Sequence, residues 1–291
     1  MNSTRNMAKE VTEWAKGIEN VRGVLLTSTR ANPNAMVDVL SDYDIELFVE
    51  DFQPFLDGDQ WLEAFGDILV RDPYQPVLNK KGNILWRLVM FKNAPRIDFA
   101  IQLVEEMENY VQEPTLDESL DIGYEILLDK DSKLEGLAPP TYTAYRTKRP
   151  TESEYNEIVN GFWWDITYVA KYLFRDQLFF AKRMLDDSLR HEYLTPTIAW
   201  HIGMKNNWTS NPGYSGKWFK KFLDPETWAE IEATFAGADL EENWKAMFKT
   251  AEMFGRLASG VGEHLGYDYP FELDQNVTEY LMKIKNLNAS Q

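Results

Sequence analysis

One stretch constrains the fold more than any other: residues 137–150, Leu-Ala-Pro-Pro-Thr-Tyr-Thr-Ala-Tyr-Arg-Thr-Lys-Arg-Pro, which holds three prolines and few large aliphatic side chains. Proline has no amide hydrogen and its ring clashes with the preceding helical turn, so a helix does not run through such a segment. The apolar period differs on its two sides. Before it, Val21 to Ser28, Tyr43 to Glu50, Ile84 to Phe91, Arg96 to Val104 and Tyr124 to Leu128 are short, rich in β-branched and aromatic residues, and predict strands. Lys92-Asn93-Ala94-Pro95 supplies a hairpin turn between the third and fourth of these. Val11, Trp14, Ala15 and Ile18 recur at helical spacing and predict an opening helix over 7–18, with another helical piece at 60–68. After the proline-rich stretch, strand patterning fades. Segments 155–174, 177–189, 193–206, 225–235 and 240–261, rich in Leu, Ala, Met, Trp and Lys, predict helices.

The expected architecture is therefore α+β: an N-terminal domain at 1–140 with a mixed sheet and helices, a linker at 141–150, and an all-helical domain at 151–291. A length of 291 residues agrees, since roughly 150 residues make an average domain.

Charge and composition then exclude function classes. The 30 Lys and Arg against 47 Asp and Glu leave a net charge of −17, a field that repels nucleic acid and anionic membranes, so neither is an expected partner. No cysteine is present, which removes disulfides, thiolate zinc sites and cysteine nucleophiles. The first twenty residues mix acids and bases at helical spacing and do not read as a signal peptide. No apolar run approaches the roughly 18 residues of a membrane span, so the cytoplasm is the expected location.

Three carboxylates carry the chemistry. Asp42 and Asp44, two apart at the start of a predicted strand, emerge from one face about 7 Å apart along the backbone. Asp98 sits in Arg96-Ile97-Asp98-Phe99-Ala100, an otherwise apolar strand, where a buried carboxylate requires a partner. Should the two strands pair, the three acids gather, and a divalent cation relieves their repulsion. An Asp-x-Asp pair at a strand start also commonly caps a loop or faces water. Its context is more specific: Leu26-Thr27-Ser28-Thr29-Arg30, followed by an Asn-Pro-Asn loop, ends a strand in hydroxyls and a base, and backbone N–H groups there suit phosphate.

This arrangement resembles the nucleotidyltransferase superfamily, with its polymerase-beta-like sheet, and within it the aminoglycoside 6-adenylyltransferases, or streptomycin adenylyltransferases. The matching residues run through both halves: Ser-Thr-Arg at 28–30, Asp-Tyr-Asp-Ile at 42–45, Asp-Gln-Trp-Leu-Glu at 59–63, Phe-Gly at 65–66 and Arg-Ile-Asp at 96–98. They continue with Leu-Leu-Asp-Lys-Asp at 127–131, Lys-Arg-Pro-Thr at 148–151, Phe-Trp at 162–163, Thr-Tyr-Val-Ala-Lys at 167–171, Ala-Trp-His-Ile at 199–202 and Gly-Lys at 216–217. The resemblance implies transfer of AMP from ATP to a hydroxyl of a cationic aminoglycoside, the 6-hydroxyl of streptomycin above others, with loss of pyrophosphate. By that resemblance Asp42 and Asp44 hold Mg²⁺ bound to ATP, and Asp98 is a third metal ligand or the base that accepts the hydroxyl proton. Ser28, Thr29 and Arg30 would contact the nucleotide, joined by Lys171 and Lys217 across an interdomain cleft. Two alternatives share the fold: a nucleotide-binding or interaction module without turnover, and a transferase for another hydroxylated acceptor.

The sequence departs from the family at two places. The family turn is usually Gly-Ser-Arg, whereas Ser28 and Thr29 take the Gly and Ser positions; glycine there permits a positive φ and close backbone approach, so Ser28 is expected to push the triphosphate outward or to restrict the turn. Gln177 stands where the family carries Glu.

Other signals have plainer readings. Lys171, on a long apolar helix, also suits a lysine whose stem lies along an apolar face. Gly213-Tyr214-Ser215-Gly216-Lys217-Trp218 lacks the spacing of a phosphate loop and reads as a turn. Gly260-Val261-Gly262 follows a helical segment, which excludes a dinucleotide fingerprint. His191, His201 and His264 show no metal-ligand spacing, and His201 beside Trp200 reads as a packed histidine. Most of the ten tryptophans fall at helical spacing with Leu and Phe, which reads first as core packing, with an aromatic wall for a sugar or adenine as the alternative. Asp165 and Glu192 lie in the half expected to contact a cationic acceptor, though each also suits a solvated helix face.

Overall fold

The structure is a computed structural model that describes residues 5–287. The chain divides into two compact units, Met1–Ala144 and Tyr145–Gln291.

The first unit is built on six strands: β1 Val21–Thr27, β2 Tyr43–Val49, β3 Ile68–Asp72, β4 Leu85–Phe91, β5 Ile97–Leu103 and β6 Tyr124–Asp129. Their order is β3-β4-β5-β2-β1-β6. Every neighbouring pair is antiparallel except β2 and β5, which run parallel. A parallel pair needs a crossover, and the chain supplies one by leaving the sheet after β2, forming the β3–β4 hairpin at its edge, and returning as β5.

Alternation along the strands sends Tyr43, Ile45, Leu47 and Val49 of β2 and Ile97, Phe99 and Ile101 of β5 into one core with Met7, Val11 and Ala15 of the opening helix Met7–Lys16. Trp61 packs edge-on against Phe99 with ring centroids 4.9 Å apart. Full burial of a ring such as Phe99 contributes about 1.5–3 kcal/mol. Arg87 of β4 is also wholly buried on this side, paired with Asp59, which Arg71 of β3 holds as well at 2.8 Å. On the opposite face, Leu25, Phe48, Met107, Leu120 and Leu134 form a small second cluster. The helix Glu105–Gln112 contributes Met107 to it. Gly23 lets the two pack closely, since a Cβ there would lie 2.7 Å from the Met107 methyl carbon and the methionine end would have to move.

The sequence-based elements of the first unit hold apart from the following differences. The helix expected at 60–68 is a short 3₁₀ turn, Gln60–Phe65, and Ile68 instead opens β3. The helix Glu105–Gln112 follows β5 after Val104 and carries three acids in its first turn, where the macrodipole favours them.

The second unit is helical. Its central helix, Glu152–Phe174, starts at a reciprocal capping box between Thr151 and Glu154 and buries Tyr155, Val159, Phe162, Trp163, Ile166, Val169 and Leu173. Phe162 stacks on Phe254 of the helix Leu240–Leu265 with centroids 3.6 Å apart. The segment expected as one helix at 177–189 is a short α-helix, Leu178–Lys182, that widens into a π-helical run over Arg183–Leu194. The run seats Tyr193 against Gly161, where a Cβ would lie 2.6 Å from the ring. Among the described residues no helix is long and apolar enough to cross a membrane.

Candidate active site

Register brings the first two acids into one place. In the parallel ladder Asp44 of β2 is the direct partner of Asp98 of β5, and on its other side Asp44 pairs with Thr27, the last residue of β1. Paired residues project from the same sheet face, so both carboxylates stand side by side. Burial pushes the Asp44 carboxyl up to about 6, with repulsion from Asp98 adding to the rise and a hydrogen bond from the Ser28 hydroxyl opposing it. Asp42 is half-exposed one pleat earlier and is raised as well, chiefly by burial, with Arg96 opposing.

Arg96 organises the cluster. Its Nε and Nη2 donate to the two carboxylate oxygens of Asp98 at 2.6 and 2.7 Å, and Nε lies 3.8 Å from Asp42 Oδ2. The partner that a carboxylate in an apolar strand demands is thus found two residues away. Among the described residues no three acidic or histidine side chains stand closely enough to hold a metal ion as they are. The donor chemistry fits a hard cation: Asp44 and Asp98 stand side by side, Asp42 lies two residues ahead of Asp44, and the Asp44 carboxyl carries a raised pKa that a nearby positive charge would lower.

Thr27 leads into a 3₁₀ turn, Ser28–Ala31. Ser28 takes a positive φ of 64°, the conformation for which glycine is the usual choice. The serine therefore accepts the backbone conformation expected of the family's glycine, and its hydroxyl acts to lower the Asp44 carboxyl pKa. Its N–H is committed to Gly123 O at 2.9 Å. Arg30 is committed too: Nε donates to Asp42 O at 3.0 Å, Nη2 donates to Ser41 O at 2.7 Å, and the guanidinium lies 3.9 Å from the Tyr43 ring centroid. Its observed partners fasten the loop that carries Asp42. Thr29 lies beside it in the same turn, half-exposed.

The lysines belong to the second unit. Lys171, on the central helix, lies 5.0 Å from the Tyr168 ring centroid and makes no ion pair among the described residues. Lys217 is exposed and lies 4.9 Å from the Trp218 ring in the turn Tyr214–Gly216 and its flank. Gln177 is exposed ahead of Leu178–Lys182. His201 is buried and its pKa is lowered to about 4, chiefly by desolvation, which makes it a packed neutral imidazole.

One residue escaped the sequence reading. Glu46 continues the alternation of Asp42 and Asp44 on the same face and is buried, accepting hydrogen bonds from Tyr110 at 3.1 Å and Gln102 at 3.2 Å. Burial pushes it up to about 7. The signal was present in Asp-x-Asp-x-Glu, an acid on every second residue of one strand.

The family profile described as Streptomycin adenylyltransferase matches residues 1–284. The chain is 32% identical over 283 residues to the Aminoglycoside 6-adenylyltransferase of Bacillus subtilis (strain 168), covering 96% of this chain and 97% of that protein. A protein of the same name from Campylobacter jejuni is 28% identical over 290 residues, covering 98% and 96%. Among solved structures, the crystal structure of an aminoglycoside 6-adenyltransferase from Bacillus subtilis aligns with 97% of this chain and 99% of its own, at 28% identity and a TM-score of 0.47.

Proposed function

We propose that this chain, which belongs to the streptomycin adenylyltransferase family and is a nucleotidyltransferase, transfers AMP from ATP to a hydroxyl of an aminoglycoside, namely the 6-hydroxyl of streptomycin. The observation that carries the reading is the direct pairing of Asp44 with Asp98 on two parallel strands. Adenylyl transfer needs excess negative charge at one spot, held rigidly, because positioning and charge neutralisation supply most of the rate. The names of the relatives support the acceptor class, and a net charge of −17 suits a polycation.

In this reading Asp42 and Asp44 hold Mg²⁺ with ATP, and Asp98 supplies the third carboxylate, as ligand or as base. When bound, the metal neutralises charge on the phosphates and on the departing pyrophosphate. The acceptor oxygen forms its bond to the α-phosphorus as the bond to the β-phosphate oxygen breaks. The hydroxyl proton leaves to Asp98 or to water, and pyrophosphate carries away the bonding pair. Arg30 keeps Asp42 in place through the backbone of its loop, and Ser28 orients Asp44. The nucleotide phosphates lie toward Ser28 and Thr29.

The test is incubation with ATP, Mg²⁺ and streptomycin. Pyrophosphate release and an adenylylated drug are expected, and Asp44→Asn should abolish both. Nucleotide binding without turnover of any aminoglycoside would sink the reading.

A further inference from the structure

The sheet face that carries the carboxylates is only half covered. Helix Glu105–Gln112 and its cluster shield the β1–β2 side. Beyond Asp98 the same face continues onto β4 and β3, where register fixes what is displayed. Asp98 pairs with Leu88, and Leu88 with Asp72, so a straight row runs Thr27, Asp44, Asp98, Leu88, Asp72 across five strands. Trp86 and Met90 flank Leu88 along β4 on that face, and Val70 pairs with Met90. Trp86 is 43% exposed, Met90 42% and Val70 55%.

These exposures are unusual for the middle of a sheet face next to a reactive cluster, since an apolar patch left open beside polar groups marks a binding surface. No aromatic or cationic side chain among the described residues stacks on Trp86. Trp86 pairs with Ala100, two residues from Asp98 on β5, which makes Trp86 and Asp98 diagonal neighbours with backbones about 7–8 Å apart. An exposed carboxylate, Asp72, borders the patch on the far side. The result is an apolar floor with a flat indole, edged by acids on two sides.

In-line displacement decides which substrate lies here. The attacking oxygen and the departing pyrophosphate stand on opposite sides of the α-phosphorus. With the phosphates toward Ser28 and Thr29 at the β1 end of the row, the acceptor enters from the β4 end. We propose that Trp86 is a specificity-determining residue, a platform on which the guanidinium-bearing ring of the acceptor stacks, with the exposed Asp72 facing its cationic groups. A guanidinium or a C–H-rich ring over an indole face gains both cation–π attraction and apolar contact. The inference rests on the adenylyltransferase reading for its orientation.

Trp86→Leu keeps apolar bulk on the strand and removes the flat ring, while Trp86→Phe keeps a ring. In the full chain, pyrophosphate release with streptomycin and ATP should show the acceptor KM raised about ten-fold in W86L. The ATP KM and kcat should stay within about two-fold, and W86F should lie near wild type. An unchanged acceptor KM in W86L overturns the platform; a raised ATP KM instead assigns the indole to adenine and overturns it equally. Absence of turnover in the wild type sinks the parent reaction, and the platform is then read from binding alone. Saturation transfer from protein to streptomycin ring protons, present in wild type and lost in W86L, sustains it; equal transfer in both, or none in either, removes it.

Discussion

Arg96 grips both carboxylate oxygens of Asp98 from two residues earlier in the chain, at 2.6 and 2.7 Å, while reaching toward Asp42 at 3.8 Å. The protein thus carries its own cation in the centre of its acidic cluster. An internal counter-ion of this kind holds the acids together before any ligand arrives, and it competes with whatever cation comes later.

That competition is measurable. Arg96→Met should lower the stability of the metal-free protein by about 1 kcal/mol, because the remaining acids lose their partner in a half-exposed setting. Added Mg²⁺ should recover more stability in the variant than in the wild type, by linkage to binding. Thermal melts with and without 10-fold steps of Mg²⁺ check this, and equal metal-induced shifts in both proteins would contradict it.

Asp44 gives stability a pH signature. Its folded pKa, about 6, lies above the roughly 3.9 of an unfolded aspartate. Over that window the folded state keeps a proton that the unfolded chain has released, so its contribution to stability falls as pH rises from about 4 to about 6. Asp44→Asn carries no such loss. Urea denaturation should therefore show the variant gaining on wild type across that interval, by about 1–3 kcal/mol in total. A constant difference would show that Asp44 titrates normally.

Ser28 holds a left-handed backbone, and its hydroxyl opposes the rise in the Asp44 pKa. Ser28→Gly removes a conformational cost of about 1–2 kcal/mol in the folded state, against a larger entropy loss for glycine on folding, so the net stability change should be within about 1 kcal/mol. The carboxyl of Asp44, having lost a donor to its charged form, should titrate higher. Carbon-13 NMR of the aspartate carboxyls reads that shift directly, and an unmoved titration would mean that the hydroxyl does not reach Asp44.

Arg30 donates in several directions and lies over Tyr43, a geometry that a lysine ammonium does not reproduce. Arg30→Lys should lower kcat about ten-fold or more while leaving the ATP KM nearly unchanged, the pattern expected when a loop that positions a catalytic acid loosens. A rise confined to the ATP KM would instead make Arg30 a direct phosphate ligand.

Much of this geometry was readable from residue order. The strands bearing Asp44 and Asp98 announce themselves by continuous β-branched and aromatic runs, as strands buried on both faces do, and the cost of burying Asp98 correctly demanded a partner. The partner was already in the motif as Arg96, but spacing alone does not reveal whether a charge is met by a neighbour or by a ligand. β3 went unseen because Ile68-Leu69-Val70 is brief, ends at Arg71-Asp72-Pro73, and lies on a sheet edge where no apolar alternation is needed. The π-helical run over Arg183–Leu194 was equally invisible, since a widened turn leaves apolar spacing close to that of an α-helix and is set by packing, here of Tyr193 on Gly161. Glu46 was missed because an acid in a hydrophobic run looks like noise until Gln102 and Tyr110 are seen to meet it.

The parallel pairing of β2 with β5 has a wider consequence. The two strands are zipped to each other residue for residue, so the spacing of their acids does not depend on how long the chain wanders between Val49 and Ile97. The loop that joins the two strands of the edge hairpin, between Asp72 and Leu85, can lengthen or shorten without moving that pairing. Descendants of such a protein can revise what they recognise on one pair of strands while the bond-making pair is inherited intact.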